Sequence, residues 1–391
     1  MISVGEALDQ LFALVGRLGD EAVPLAQAAG RVLAVDAVAR RDQPPFAASA
    51  MDGYAVRSND AQPGATLSVV GESAAGHRHD ATLGPGEAVR IFTGAPMPAG
   101  AERVIIQEDV TRQGGTVTLG AQPGKGPHVR PQGADFADGH TMEAPRCLRP
   151  ADLALLAAMN VDRVRVVRSP EVALIATGDE LVMPGEAPGP DQIIASNGFG
   201  LKALLEQAGA RARLLPIARD SVASLATAFD LAAGADLVIT IGGASVGDHD
   251  LVARVAGDLG LERAFYKVAM RPGKPLIAGR LRGVAMVGLP GNPVSAMVCG
   301  HVFLVPMLRA MLGLGAAPAP RARAPLAAAL PANGLREHYM RATRDANGAL
   351  RAFDDQDSSL LSVLAAADAL LVRPPDGDPR AAGEVVEYLP L

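Results

Sequence analysis

Tryptophan is missing from this 391-residue chain, and aromatic residues together make up 3% of it. That scarcity excludes a ladder of stacking rings for single-stranded nucleic acid. Cysteine occurs only as Cys147 and Cys299. Two thiols cannot build a disulfide framework or, alone, a zinc site, and they suit a reducing compartment. No run reaches the ~18 consecutive apolar residues of a membrane span. Residues 1–16 carry Glu6 and Asp9 and lack both the basic start and the unbroken apolar stretch of a secretory signal. Positive charge is not in excess either: 36 Lys and Arg stand against 42 Asp and Glu, a net charge of −6. No bulk attraction to nucleic acid or anionic lipid follows from that balance. The expectation is a cytoplasmic protein whose partners include neither nucleic acid nor membrane.

What is present is apolar material for several cores. Hydrophobic residues are 49% and charged residues 20% of the chain, and at roughly 100–200 residues per domain two to four domains are expected. Ser3 precedes Val4, Ala7, Leu8, Leu11 and Leu14, a capped amphipathic helix over 3–18. From 46 to 140 short alternating runs (Thr66–Val70, Ala88–Phe92, Val104–Gln107) are separated by Gly and Pro clusters, the texture of an inserted β-rich domain. From 169 to 315 apolar strands alternate with helices. Val172–Ala176, Arg213–Ile217, Leu237–Ile241 and Val284–Leu289 read as strands; residues 197–208, 221–233 and 294–312 read as helices. This is the pattern of a mostly parallel α/β sheet covered on both faces. A Gly/Ala/Pro linker leads to a small β-rich, barrel-like domain over 319–391, and residues 1–45 with 141–168 form a small helical and strand linking region. The fold class is thus α/β plus β, in several domains.

Ligands of open parallel sheets bind beyond the carboxyl ends of the strands. Three such ends carry Gly with hydroxyl, amide or carboxylate groups: Thr177-Gly178-Asp179-Glu180, Gly242-Gly243-Ala244-Ser245-Val246-Gly247-Asp248-His249-Asp250, and Pro290-Gly291-Asn292-Pro293-Val294-Ser295. Glycine lets backbone N–H groups approach an anion closely, though each loop alone also reads as an ordinary tight turn. Neither the dinucleotide G-x-G-x-x-G nor the P-loop pattern follows these strands. Lys267, Arg271 and Lys274 surround a Pro-Gly turn, where they converge on one anion or stand as solvated cations. Asp220 reads as a helix cap before Ser221. Glu180 and Asp250 follow sheet ends, where carboxylates can hold Mg²⁺ against phosphates; Asp179 and Asp248 fit turns, and His249 reads as a loop histidine.

The strings Ser49-Ala50-Met51-Asp52-Gly53-Tyr54-Ala55-Val56, Phe92-Thr93-Gly94-Ala95-Pro96-Met97-Pro98, Thr177-Gly178-Asp179-Glu180-Leu181, Gly242-Gly243-Ala244-Ser245-Val246-Gly247, Pro272-Gly273-Lys274-Pro275 and Gly288-Leu289-Pro290-Gly291-Asn292-Pro293-Val294-Ser295 occur in this order. Together they resemble the MoeA family of molybdenum-cofactor biosynthesis, which includes the E domain of gephyrin, over essentially the whole chain. The resemblance implies a molybdopterin molybdenumtransferase. Its substrates would be molybdate and adenylylated molybdopterin, with Mg²⁺ as cofactor and AMP released. It also implies a homodimer whose active site is shared between subunits, with the molybdopterin adenylyltransferase and pterin-accepting enzymes as further partners.

By the same resemblance, Thr177, Gly178, Asp179, Gly242, Gly243, Ser245, Gly247 and Asn292 would hold nucleotide and pterin. Asp52, Thr93, Asp135, Glu180, Asp220 and Asp250 would be catalytic, with Glu180 and Asp250 on the metal. Lys267, Arg271, Lys274, Ser295, Arg341 and Ser358 would hold molybdate or phosphate. Three departures from the family pattern stand out: Ala47-Ala48 replaces two polar residues, Arg271 replaces a frequent Lys, and Asp357 replaces a frequent Gly. Two other readings exist. An adenylyltransferase would lack the Met51–Tyr54 string and the C-terminal domain; a scaffold on the same fold would have no chemical need of Asp52, Glu180, Asp220 and Asp250.

Overall fold

The computed structural model describes residues 1–124, 126–243 and 251–391. They form two compact units: residues 1–21, 30–34 and 166–391 in one, and 22–29 with 35–165 in the other.

The larger unit is built on a six-stranded sheet in the order Arg211–Leu214, Glu171–Ala176, Leu237–Ile241, Val284–Leu289, Ile277–Leu281, Glu262–Tyr266. The first four strands are parallel, Ile277–Leu281 runs antiparallel to them, and Glu262–Tyr266 runs antiparallel to Ile277–Leu281. Residues on each strand alternate between two cores. Val172, Leu174, Leu237 and Ile239 enter one; Ala173, Ile175 and Val238 enter the other. The helix Asn197–Gln207 and the helical run from Pro293 cover the first face, while Val222–Leu231 and Leu251–Asp258 cover the second.

The N-terminal helix Val4–Leu14 carries a reciprocal cap between Ser3 and Glu6. It buries Val4, Ala7, Leu8 and Leu11 in the first core, so this part of the expected linking region belongs to the α/β core. The run Pro293–Met311 is long and apolar enough to cross a membrane, but 72% of its most apolar window is buried, which marks it as a core helix. Within it Gly300–Leu304 forms a π turn.

A second sheet of this unit runs Met270–Arg271, Glu337–Arg344, Ala369–Arg373, Val385–Pro390, Ala322–Pro325, with Leu350–Ala352 paired to Glu337–Arg344. Its Leu370, Val372 and Leu389 face the first α/β core, and Leu371, Ala342 and Val386 close a core of their own. Met270–Arg271 runs parallel to Glu337–His338, which brings the basic turn to the strand that carries Arg341.

The smaller unit holds the inserted β-rich segment. Its sheet runs Arg103–Ile106, Gly53–Val56, Glu87–Ile91, Thr66–Ser73, Thr116–Leu119, Val110–Gln113. Tyr54 and Val56 face one core and Ala55 the other. Gly53 is required by close approach, because a Cβ there would lie 2.0 Å from the Ile105 carbonyl oxygen. Ala48 is buried and pairs with Arg130, and the Ala47 carbonyl accepts from the Met97 N–H.

Candidate functional site

The carboxyl ends of the parallel strands open into a cleft of about 1060 Å³. Thr177, Gly178, Glu180, Asp220, Gly242, Gly243 and Asn292 are among the residues that line it. Gly242 and Gly243 have φ of 95° and 65°, conformations in which a side chain is strained. A Cβ on Gly242 would lie 2.7 Å from the Thr177 carbonyl oxygen, so the two loop backbones touch. Ser245, Gly247, Asp248, His249 and Asp250 lie outside the described residues.

One wall of the cleft is acidic. The Glu180 carboxylate lies over Gly178, where a Cβ would be 2.3 Å from its Oε2. The Asp220 N–H donates to Asp179 Oδ1 at 3.1 Å. Burial, then the charges of Asp179 and Glu180, raise the Asp220 carboxyl above the ordinary aspartate range. Arg219 holds this wall: its Nη1 donates to the carbonyls of Gly178, Asp179 and Leu181 at 3.3, 3.1 and 2.9 Å. Among the described residues no three carboxylate, histidine or cysteine groups converge to hold a metal ion by themselves. Glu180 and Asp220 nevertheless offer hard oxygen donors, and Mg²⁺ is commonly bound by one or two carboxylates with substrate phosphates completing the shell. The residues fit that cation.

The residues expected to hold an oxyanion, Lys267, Arg271, Lys274, Ser295, Arg341 and Ser358, are not among those lining the cleft. Pro275 and Ser359 line the cleft, next in sequence to Lys274 and Ser358. Asn292 Nδ2 donates to Ser358 Oγ at 2.9 Å, and the Val294 N–H donates to the Ser358 carbonyl, tying that loop to the helix start. Behind it Arg341 is 0% exposed. Its Nη2 donates to the Asp357 carbonyl, while Nε and Nη1 are buried and have no partner among the described residues. Burial lowers the Arg341 pKa, and neighbouring Arg271 lowers it further against the pull of Asp355 and Asp357. His338, Arg271's partner across the strand pair, is pushed down to about 4 by burial and then by Arg271, Arg341, Arg336 and Arg373. The region is therefore strongly cationic. Ser295 is buried at its edge, whereas Lys267 places its ammonium over the Tyr266 ring at 4.7 Å. The Asp357 carboxylate accepts from the Ser359 N–H and hydroxyl, so its pull on Arg341 acts through space.

In the smaller unit Asp52 Oδ1 accepts from the Thr93 N–H at 2.7 Å and its hydroxyl at 2.8 Å. Those bonds hold the carboxyl below the usual aspartate range, aided by the charge of Arg90. Asp135 is exposed, and its N–H donates to the Gln43 carbonyl. Arg219, Arg254 and Arg90 were not singled out from sequence. Arg254 lines the cleft and Arg90 stacks on Tyr54 and Phe92. The only sequence signal for any of the three is the position of Arg219 directly before Asp220.

Comparison with known proteins covers the whole chain. The profile of the MoeA N-terminal region (domain I and II) matches residues 2–160. That of a probable molybdopterin binding domain matches 173–310, and that of the MoeA C-terminal region (domain IV) matches 323–391. Molybdopterin molybdenumtransferase 2 of Mycobacterium tuberculosis is 39% identical over 385 residues, covering 94% of each chain. Molybdopterin molybdenumtransferase of Nostoc sp. is 40% identical over 329 residues, 80% of this chain and 75% of that protein. A crystal structure of a molybdopterin biosynthesis MoeA protein from Pyrococcus horikoshii superposes with a TM-score of 0.83 at 31% identity, covering 100% of this chain and 99% of that one.

Proposed function

The chain belongs to the MoeA family of molybdopterin molybdenumtransferases, and from that premise we propose that it inserts molybdate into adenylylated molybdopterin and releases AMP. The observation that carries this reading is the buried Arg341. Among the described residues its guanidinium bonds no carboxylate, and its Nε and Nη1 have no partner, behind the loop whose Ser359 lines the glycine-lined, acidic cleft. A buried cation with spare donors suits a tetrahedral dianion.

In this reading the backbone around Gly178, Gly242 and Gly243, with Thr177, Asp179, Ser245, Gly247 and Asn292, receives the nucleotide and pterin. Glu180 and Asp250 would hold Mg²⁺ and orient water at the phosphoanhydride, with Asp220, coupled to Glu180, adding negative charge for the cation. The cation supplies charge neutralisation on the phosphate oxygens when bound. Arg271, Lys274, Ser295, Arg341 and Ser358 hold molybdate, and Lys267 adds positive charge at the rim. Asp52, Thr93 and Asp135 enter from the partner protomer of a homodimer. The adenylyltransferase that makes the substrate and the enzymes that accept the product are its partners, in the cytoplasm. The substrate's dithiolene brings its own sulfurs, so no reactive thiol is required. Of the two thiols, Cys299 is buried and pushed far up by burial, and Cys147 is exposed.

The test is AMP release from adenylylated molybdopterin with Mg²⁺, with and without molybdate. Molybdate-dependent AMP release coupled to metallated pterin is the expected result. Tight pterin binding with no AMP release under molybdate or tungstate would overturn it.

A further inference from the structure

Asp52 and Thr93 stand 41 residues apart in the chain and meet because strand ends converge. Gly53 opens its strand opposite Ile91, the last residue of Glu87–Ile91, and opposite Ile106, the last of Arg103–Ile106. Asp52, Phe92 with Thr93, and Gln107 therefore lie just beyond the same end of one sheet.

Arg90 reaches all of them. It faces Tyr54 across the strand pair, and its guanidinium carbon lies 5.1 Å from the centre of that ring. The Phe92 ring centre is 4.9 Å from the same carbon. Nη1 donates to the Gly53 carbonyl at 3.2 Å, and Nη2 donates to Gln107 Oε1 at 2.8 Å. The Gln107 N–H in turn donates to the Asp52 carbonyl at 3.1 Å. Arg90 thus touches the residue after Asp52, the residue before Thr93, and the residue that holds the Asp52 main chain.

A guanidinium suits this place. It is planar, so it stacks on rings while its forked N–H groups bond in two directions. An ammonium is a point charge on a flexible stem and does neither. The bonds from Thr93, and then the charge of Arg90, keep the Asp52 carboxyl ionised to lower pH than an ordinary aspartate.

We infer that Arg90 is a positioning residue for the reaction, fixing the direction in which the Asp52–Thr93 pair presents its oxygens while making no contact with substrate itself. The inference rests on the part given above to Asp52 and Thr93. Misplacing a reacting group by ~1 Å can cost about 10²-fold in rate, so bracing of this kind is read in turnover.

The experiment is molybdate-dependent AMP release by the full chain, with adenylylated molybdopterin and Mg²⁺, for Arg90→Lys, Gln107→Ala and Asp52→Asn. Arg90→Lys keeps the charge and loses the fork and the stacking. It is expected to lower kcat about tenfold, with the half-saturating molybdate concentration unchanged. Gln107→Ala, at an exposed position, frees one arm of the fork and should lower kcat about threefold. It carries the same comparison should Arg90→Lys fail to fold. Adding either change to Asp52→Asn should lower kcat no further, because the arginine acts through Asp52. A purely stabilising role would multiply the losses instead, and that result would overturn the inference. So would Arg90→Lys and Gln107→Ala turning over within about twofold of wild type while Asp52→Asn is slow. If Asp52→Asn itself keeps the wild-type rate, the part given to Asp52 falls, and the inference with it.

Discussion

Arg341 donates from Nη2 to the main-chain carbonyl of Asp357 at 2.9 Å, while the Asp357 carboxylate turns to Ser359. A residue that adds a negative charge to the family pattern therefore leaves the buried guanidinium with no direct bond to a carboxylate among the described residues. Arg341→Gln should raise the molybdate concentration for half-maximal AMP release by about 10–100-fold, the loss of one or two charge-assisted hydrogen bonds. AMP affinity should hold, and the two titrations side by side check it.

Arg219 acts through the loop it clasps. Removing its bonds to Gly178, Asp179 and Leu181 loosens the backbone that carries Glu180. Arg219→Ala should raise the half-saturating Mg²⁺ concentration by about 5–10-fold, equivalent to ~1 kcal/mol. Arg219 is exposed, so thermal stability should change by no more than ~0.5 kcal/mol. Equal losses in melting and in Mg²⁺ response would refute a positioning role.

Proton and cation compete at Asp220. Its pKa is raised, first by burial and then by Asp179 and Glu180. Below that raised value the carboxyl is protonated and cannot hold or support a cation. Mg²⁺ activation should therefore weaken as pH falls toward the upper aspartate range. In the metal-free chain the same group makes stability fall as pH rises through this window, because the folded state holds the proton more tightly than the unfolded one. Asp220→Asn should abolish both trends, which Mg²⁺ titrations and melting curves across acid pH will show.

Asp152 gives the opposite sign. It is 2% exposed and accepts from the Arg149 N–H, with Arg146 and Arg149 on its oxygens. Its pKa is lowered from 3.8 to about 2. The stability it contributes is complete above the unfolded value and is lost as pH falls from 3.8 to about 2. Asp152→Asn should cost about 2 kcal/mol at neutral pH, read from denaturant midpoints, and should flatten that acid limb.

Gly53→Ala forces a methyl against the Ile105 carbonyl. The expected cost is about 1–3 kcal/mol, with a lowered melting temperature. Because Asp52 is the next residue, its bonds to Thr93 should weaken too, and the Asp52 carboxyl should titrate closer to the ordinary aspartate value by NMR.

Sequence reading succeeded where period and burial agreed. Leu237–Ile241 and Val284–Leu289 lie in the middle of the sheet, and their apolar runs ended where the strands end. The strand read at Arg213–Ile217 sits at Arg211–Leu214, because at this edge only Ala212 is fully buried and alternating arginines mask the pattern. Glu262–Tyr266 and Ile277–Leu281 went unread for a similar reason. The first buries only Phe265, and the second has Gly279 at its centre, packed against the Glu262 carbonyl. Gly-rich loops announced the cleft because glycine is demanded by backbone geometry. Arg219, Arg254 and Arg90 did not announce themselves, since nothing local tells where a long side chain delivers its charge.

Met270–Arg271, a two-residue strand from the α/β segment, pairs with Glu337–His338 of the C-terminal sheet, and that sheet returns Leu370, Val372 and Leu389 to the α/β core. The break in composition near residue 315 is thus a seam in the chain that the fold does not share. A version ending there would leave a strand without its neighbour and an apolar face open to water. The last segment cannot be exchanged like a cassette: to evolve a different one, the basic turn at Arg271 and the inner face of the new sheet would have to change together.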